Sequence, residues 1–205
     1  MPKLFHDFKN LLESCSEEQP LQEFLKKHEH ILTKTFSQGA QYSTLISKFK
    51  LADVLIPDFV IIGRRSGTMY ASWDVNLIEI EPPILDRPLF NKKRQTTGRL
   101  RDAEMQIMQW QQWMKVNEQT IFVPKALREL KKKHAWDKDP QFYNPSYGTY
   151  QDIVIWYRII IGRRSDYGEI GYAYRDTRWE ESGRRVEIVP WDRLLDNLKS
   201  WEFVD

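Results

Sequence analysis

Trp73-Asp74-Val75-Asn76-Leu77-Ile78-Glu79-Ile80-Glu81-Pro82-Pro83 ends an apolar run on two acids and two prolines. Side chains of an extended strand alternate between faces, so Trp73, Val75, Leu77, Glu79 and Glu81 share one side. The two carboxylates then point the same way, about 7 Å apart along the strand. Leu77, Ile78 and Ile80 mark this as an interior strand. Acids there are costly unless hydrogen-bonded, protonated or bound to a cation.

Upstream, Ile56-Pro57-Asp58-Phe59-Val60-Ile61-Ile62 reads as a second buried strand, stopped by Gly63-Arg64-Arg65-Ser66-Gly67. If the two strands pair, Asp58 approaches Glu79. Hard carboxylate oxygens in that arrangement suit Mg²⁺ or Mn²⁺. Downstream comes a basic loop, Ile84 to Gly98, and then a helix from Arg99 to Val116. That helix sets Ala103, Gln106, Ile107, Trp110, Trp113 and Met114 on one side.

The rest of the chain mixes both periods. Leu4 to Leu12 is a short amphipathic helix. Ser16-Glu17-Glu18-Gln19-Pro20 starts another, whose apolar face runs through Leu21, Phe24, Leu25, His28, Ile31 and Leu32. Glu18 and Glu23 read as solvated, and His28 as a packed histidine. Leu45 to Leu55 suggests a strand and a turn. A short strand is expected at Ile121-Phe122-Val123, a helix from Lys125 to Lys133, and a loop from Asp137 to Tyr150. Strands Ile153 to Ile161 and Val186 to Val189, with helices Glu169 to Glu181 and Asp192 to Lys199, complete one α/β domain spanning residues 1–205.

Composition narrows the classes. The 205 residues are 41% hydrophobic and 13% aromatic, enough for a core. Cys15 is the single cysteine, which excludes an internal disulfide and a thiolate zinc cluster. No apolar run approaches the roughly 18 residues of a membrane span, and Asp7 interrupts any signal-peptide core. A cytoplasmic protein without a membrane partner is expected. The net charge of +2 does not by itself advertise nucleic acid. Basic residues gather at Lys92-Lys93-Arg94 with Arg99 and Arg101, at Arg128 with Lys131-Lys132-Lys133, and at Arg163-Arg164 and Arg184-Arg185; such clusters either neutralise phosphates or line a solvated surface. No phosphate-binding glycine loop opens a helix.

The pairing of Pro57-Asp58 with Glu79-Ile80-Glu81 resembles the PD-(D/E)xK nuclease superfamily. The resemblance is closer to one branch, the Shedu anti-phage nuclease family. It is carried by Phe24-Leu25 with His28-Glu29-His30-Ile31-Leu32, Pro57-Asp58-Phe59-Val60, Leu77 to Pro83, Leu89-Phe90, the helix with Ala103, Gln106, Trp110 and Trp113, Ile160-Ile161-Gly162-Arg163, and Asp192-Arg193-Leu194-Leu195. These patches span about residues 20 to 198, preceded by a short helical extension. The resemblance implies a restriction-endonuclease-like core: a mixed central sheet flanked by helices. It implies a metal-dependent DNA nuclease in which Asp58, Glu79 and the Ile80 carbonyl hold Mg²⁺ or Mn²⁺. Glu81 and Gln106 would support catalysis, and Lys92, Lys93, Arg94, Arg99 and Arg101 would grip DNA phosphates. A homo-oligomer is expected by the same analogy, since cutting both strands favours two sites.

One departure is plain. Superfamily members usually carry lysine where this chain has Glu81, and a glutamate cannot supply positive charge. The rival readings are therefore a non-cleaving module that binds nucleic acid, or a component that binds a partner protein of a defence system through the aromatic Phe142 to Tyr150 loop.

Overall fold

The computed structural model describes residues 3–37, 40–65, 73–91, 93, 95–134 and 153–201. Among them five strands form one sheet in chain order: β1 (Ala40–Ser47), β2 (Phe59–Arg65), β3 (Trp73–Ile80), β4 (Ile153–Ile160) and β5 (Val186–Val189). β1, β2 and β3 run antiparallel as a meander, whereas β3–β4 and β4–β5 are parallel. Parallel neighbours need long crossovers, and helices supply them. The path from β3 to β4 includes α4 (Gly98–Asn117) and α5 (Val123–His134), and α6 (Gly168–Glu181) lies between β4 and β5. The mixed sheet with flanking helices expected from the sequence is what forms.

Helices on both faces explain why β3 and β4 read as nearly continuous apolar runs. On one face Val60, Ile62, Trp73, Val75 and Leu77 pack with Leu100, Ala103, Ile107, Trp110 and Met114 of α4. On the other, Phe59, Ile61, Ile78 and Ile80 meet α1 (Lys3–Ser14), α2 (Glu18–Lys27), α3 (His30–Phe36) and α7 (Trp191–Trp201) through Phe8, Leu25, Ile31 and Leu194. Alternation along β3 therefore assigns Glu79 to the α4 side, continuing the row of Trp73, Val75 and Leu77. Among the described residues no helix is long and apolar enough to cross a membrane.

Three local readings change. The helix expected across Leu21 to Leu32 is two helices: His28 leaves the helical region (φ −123°, ψ 55°), and the chain restarts at His30. The break lets Leu21 and Leu25 before it and Ile31 and Leu32 after it enter one core. His28 is half-buried against the Phe24 ring, 4.6 Å between centroids, rather than fully packed. The strand expected at Ile121-Phe122-Val123 is instead a π-helical turn, Glu118–Phe122, that runs directly into α5. Its apolar character serves tertiary packing, since Phe122 is buried edge-on to Phe49. β2 begins at Phe59, three residues later than expected, and continues through Gly63 to Arg65. The Asp137 to Tyr150 loop lies outside the described residues.

The end of β3 is tied down on several sides. The Glu81 N–H donates to the Ile160 carbonyl at 2.8 Å, and the Gly162 N–H to the Pro82 carbonyl at 3.2 Å. Gly162 has φ +59°, and a Cβ there would meet Asp166 Oδ2 at 3.0 Å and Leu85 Cδ1 at 3.1 Å, so the tight turn needs glycine. The buried Trp191 indole donates from Nε1 to the Glu81 carbonyl at 2.7 Å. Replacing Trp191 by Phe keeps the ring against Phe8 but orphans that carbonyl. A stability loss of about 1–3 kcal/mol is expected in urea unfolding. Unchanged stability would show that this bond does not anchor the strand end.

Candidate functional site

The antiparallel register that pairs Phe59 with Ile78 places Asp58 opposite Glu79. Directly opposed residues of an antiparallel pair face the same way. The two acids are thus neighbours at the strand ends, on the α4 side of the sheet. The N-terminal turn of α4 brings Arg99 to this place, and that of α2 brings Glu18 and Gln22. Asp58, Glu79 and Glu81 are all buried.

Each carboxylate is handled differently. Asp58 Oδ2 accepts from the Ile80 backbone N–H at 2.9 Å. Its Oδ1 accepts from Gln22 Nε2 at 2.8 Å and from Lys48 Nζ. Glu81 Oε2 lies 3.0 Å from Arg99 NH1, which also reaches Glu18 Oε1 at 3.4 Å. Glu79 stands apart: it is 7% exposed, and its buried Oε2 has no hydrogen-bond partner among the described residues.

Electrostatics follow this geometry. Burial, then the charge of Asp58, and then those of Glu81 and Glu18 push the Glu79 carboxyl up to about 9. Burial raises Glu81 to about 7, against the opposing hydrogen bond from Arg99. Glu18 is raised by burial and by Asp58. The four acids Glu18, Asp58, Glu79 and Glu81 therefore feel one another, and Glu79 is the one most strongly biased toward its protonated form.

The outcome for the expected residues is mixed. Asp58, Glu79 and Glu81 come together. Ile80 meets Asp58 through its N–H. Gln106 is half-buried on α4, and among the described residues it makes no hydrogen bond to the three acids. Lys93 and Arg101 are exposed, whereas Lys92 and Arg94 lie outside the described residues. Arg99 is committed to Glu81, Glu18 and Asp86, so it is part of the acid cluster rather than a loose phosphate clamp. Glu18, expected to be solvated, belongs to the same cluster; Glu23 is exposed as expected. Of the other basic clusters, Arg163 pairs with Asp192, Arg164 with Asp196, and Arg184 with Glu180.

Gln22 and Lys48 were missed. Gln22 lies one residue from Leu21 on a helix whose apolar stripe absorbs attention, and only the packing of α2 against the sheet end reveals its role. Lys48 follows β1, and β1–β2 pairing carries it to Asp58; the Lys48 N–H also donates to the Asp58 carbonyl at 2.8 Å.

Among the described residues, no group of three or more His, Cys, Asp or Glu side chains is arranged to hold a metal ion as it stands. Two of the acids are ion-paired, Asp58 with Lys48 and Glu81 with Arg99. The donor chemistry nevertheless suits a hard dication. All the donors are carboxylate oxygens, and one of them, Glu79 Oε2, is buried and unsatisfied.

No curated protein matches the chain. The family model described as Shedu protein SduA, C-terminal, matches residues 15–195, which takes in every acid of this cluster and the elements that carry them. The chain belongs to the Shedu family of anti-phage defence proteins.

Proposed function

We propose that this protein is a divalent-metal-dependent nuclease that hydrolyses DNA phosphodiester bonds in anti-phage defence. The observation that carries the reading is the buried, unpartnered carboxylate oxygen of Glu79 placed across the β2–β3 pair from Asp58. Buried polar atoms without partners are rare, and a cluster of acids with raised pKa values in one place marks a functional site more often than a structural one. Asp58 and Glu79 would hold Mg²⁺ or Mn²⁺, with the Ile80 carbonyl as a further donor. Such an ion supplies Lewis acidity to the scissile phosphate and acidifies water.

The chain's own residues do the rest. Gln22 and the Ile80 N–H fix the plane of the Asp58 carboxylate, so that its orientation needs no rearrangement. Glu81, poised at about 7 and held by Arg99 through Oε2, can take the proton of the attacking water on its other oxygen. Lys93 and Arg101, both exposed, the latter beside Asp102 at 4.0 Å, would contact neighbouring phosphates without reading sequence.

The neutralisation of Asp58 by Lys48 favours a second reading, a fold that binds DNA without cutting it. Plasmid incubated with purified protein and Mg²⁺ or Mn²⁺ separates the two. Cutting is expected, abolished by chelator and lowered at least about a hundredfold in Asp58→Asn and Glu79→Gln. Unchanged cutting in these variants removes the assignment. Salt-dependent DNA binding that ignores chelators, with no cutting by the unaltered protein, selects the second reading.

Stability against pH gives an independent check. Burial and the neighbouring acids push the folded Glu79 carboxyl up to about 9, against 4.5 for the free side chain. The folded protein therefore binds the proton more tightly than the unfolded chain does. The resulting stabilisation is complete below the unfolded pKa and is lost as pH rises through the folded one. Between roughly pH 5 and pH 9 the metal-free protein should lose stability, with a limiting slope of about 1.4 kcal/mol per pH unit for one proton. Glu79→Gln should flatten that slope, and Mn²⁺ should raise the melting temperature most at the alkaline end. A slope that is the same with and without Glu79 would contradict this description of the cluster.

A further inference from the structure

α4 brings Arg99 to the acids from its first turn, and its last turns form one wall of a groove at the other end of the same sheet face. Ile153 and Ile155 in that groove pair with Trp73 and Val75 at the start of β3, whereas the acids stand at its end. The groove holds ≈ 440 Å³. That is within the roughly 300–1,000 Å³ typical of ligand sites. Gln111, Gln112 and Lys115 line it from α4, Ile155 and Tyr157 from β4, and Arg185 from the turn before β5.

Two cations meet there without a carboxylate partner among the described residues. Lys115 is exposed and makes no hydrogen bond or ion pair among them. Arg185 is exposed too, yet it is held in place. Its guanidinium lies 5.3 Å from the centroid of the Trp156 ring, and its NH1 donates to the Ile155 carbonyl at 3.4 Å. Trp156 in turn stacks on Trp179 at 5.9 Å, with 8° between the ring planes. A guanidinium so braced loses little freedom on binding and keeps donors for a bidentate contact with phosphate. The neighbouring arginines are spent on acids, Arg184 on Glu180 and Arg158 on Glu187. Glu118 is the one carboxylate that lines the groove, so its cations outnumber its acids.

An exposed stripe connects this groove with the acid cluster. Arg101, Met105, Met108, Gln112 and Lys115 recur every three or four residues along α4, and all are exposed. After Asp102, beside Arg101, the acid in this stretch is Glu104, which is engaged elsewhere. It accepts from Tyr174 Oη at 2.6 Å and from Arg178 Nε at 3.1 Å. Arg101 and Lys115 are 14 positions apart (115 − 101). At about 1.5 Å per residue that is about 21 Å. A nucleic-acid strand advances about 3.4 Å per nucleotide, so the span matches about six nucleotides.

We propose that the groove is a second anchor for DNA, in which Lys115 and Arg185 contact backbone phosphates about six nucleotides from those near Arg101. The uncharged Met105, Met108 and Gln112 let the strand pass between the two basic ends without repulsion. This rests on the nuclease reading above. A phosphate contact forms with or without a metal ion, however, so the test contains none.

Binding of a fluorescein-labelled duplex of about 20 base pairs is followed by anisotropy in EDTA, between about 50 and 200 mM salt. Lys115→Gln with Arg185→Gln should weaken binding at least about tenfold and lower the slope of log K against log salt by about 2. Lys115→Gln alone removes no bond among the described residues and so leaves folding untouched; it should lower the slope by about 1. Lys26→Gln with Lys199→Gln removes the same charge from exposed positions on α2 and α7, across the sheet, and should bind within about twofold of the unaltered protein. The proposal is overturned if the Lys115 and Arg185 pair binds the duplex like the unaltered protein, or if the Lys26 and Lys199 pair weakens binding as much. Unchanged duplex binding together with lost binding of deoxyadenosine monophosphate would reassign the groove to a free nucleotide, which also overturns it. An unaltered protein that binds no duplex overturns the nuclease reading and the anchor together. Duplex binding that needs Lys115 and Arg185, in a protein that never cuts, keeps the anchor and removes only the cleavage.

Discussion

Carboxylates buried in company repel one another and lose the water that would stabilise their charge, and a protein keeps such a group only where something else tolerates it. In this chain the constraint falls at the end of β3. Leu77, Ile78 and Ile80 hold the strand in the interior, and Glu79 and Glu81 cannot escape to solvent without pulling that strand out. The surrounding architecture answers the charge: α2 contributes Gln22, the residue after β1 contributes Lys48, α4 contributes Arg99, and the β3 backbone contributes the Ile80 N–H. After all of these, one oxygen of Glu79 remains without a hydrogen-bond partner among the described residues. That leftover demand for positive charge links the fold to the proposed chemistry.

The same logic orders the sheet. An antiparallel β2–β3 pair is needed for Asp58 to stand opposite Glu79, and a parallel β3–β4 pair leaves the C-terminal end of β3 beside the Ile160 to Gly162 turn. Trp191 then closes the strand end from α7 by bonding the Glu81 carbonyl. Helices on both faces bury the strands, and their N-terminal turns are what reach the acids.

Much of this was legible in the residues. Period-two alternation along Trp73 to Glu81 gave the strand and the common side of its acids, and the apolar spacing of Leu100 to Met114 gave α4. Local composition misled where tertiary packing decided the outcome. Ile121-Phe122-Val123 has strand propensity, but it pairs with no strand among the described residues, and Phe122 anchors a helical turn instead. A single apolar stripe runs through Leu21 to Leu32, although His28 breaks the helix in two. Within the site, the acids were visible because charge inside an apolar run is conspicuous. Gln22, Lys48 and the role of Glu18 were not, because each is an ordinary residue on an exposed or half-exposed segment until the sheet end meets it. The loop cations were read as one group, yet Arg99 is an internal partner and Arg101 is exposed.

The most direct test is a crystal structure of the protein grown with Mn²⁺ and examined by anomalous scattering. The account predicts a manganese peak bonded to Asp58 and Glu79. A well-ordered centre without manganese, with Lys48 on Asp58 and Glu79 protonated, would contradict it.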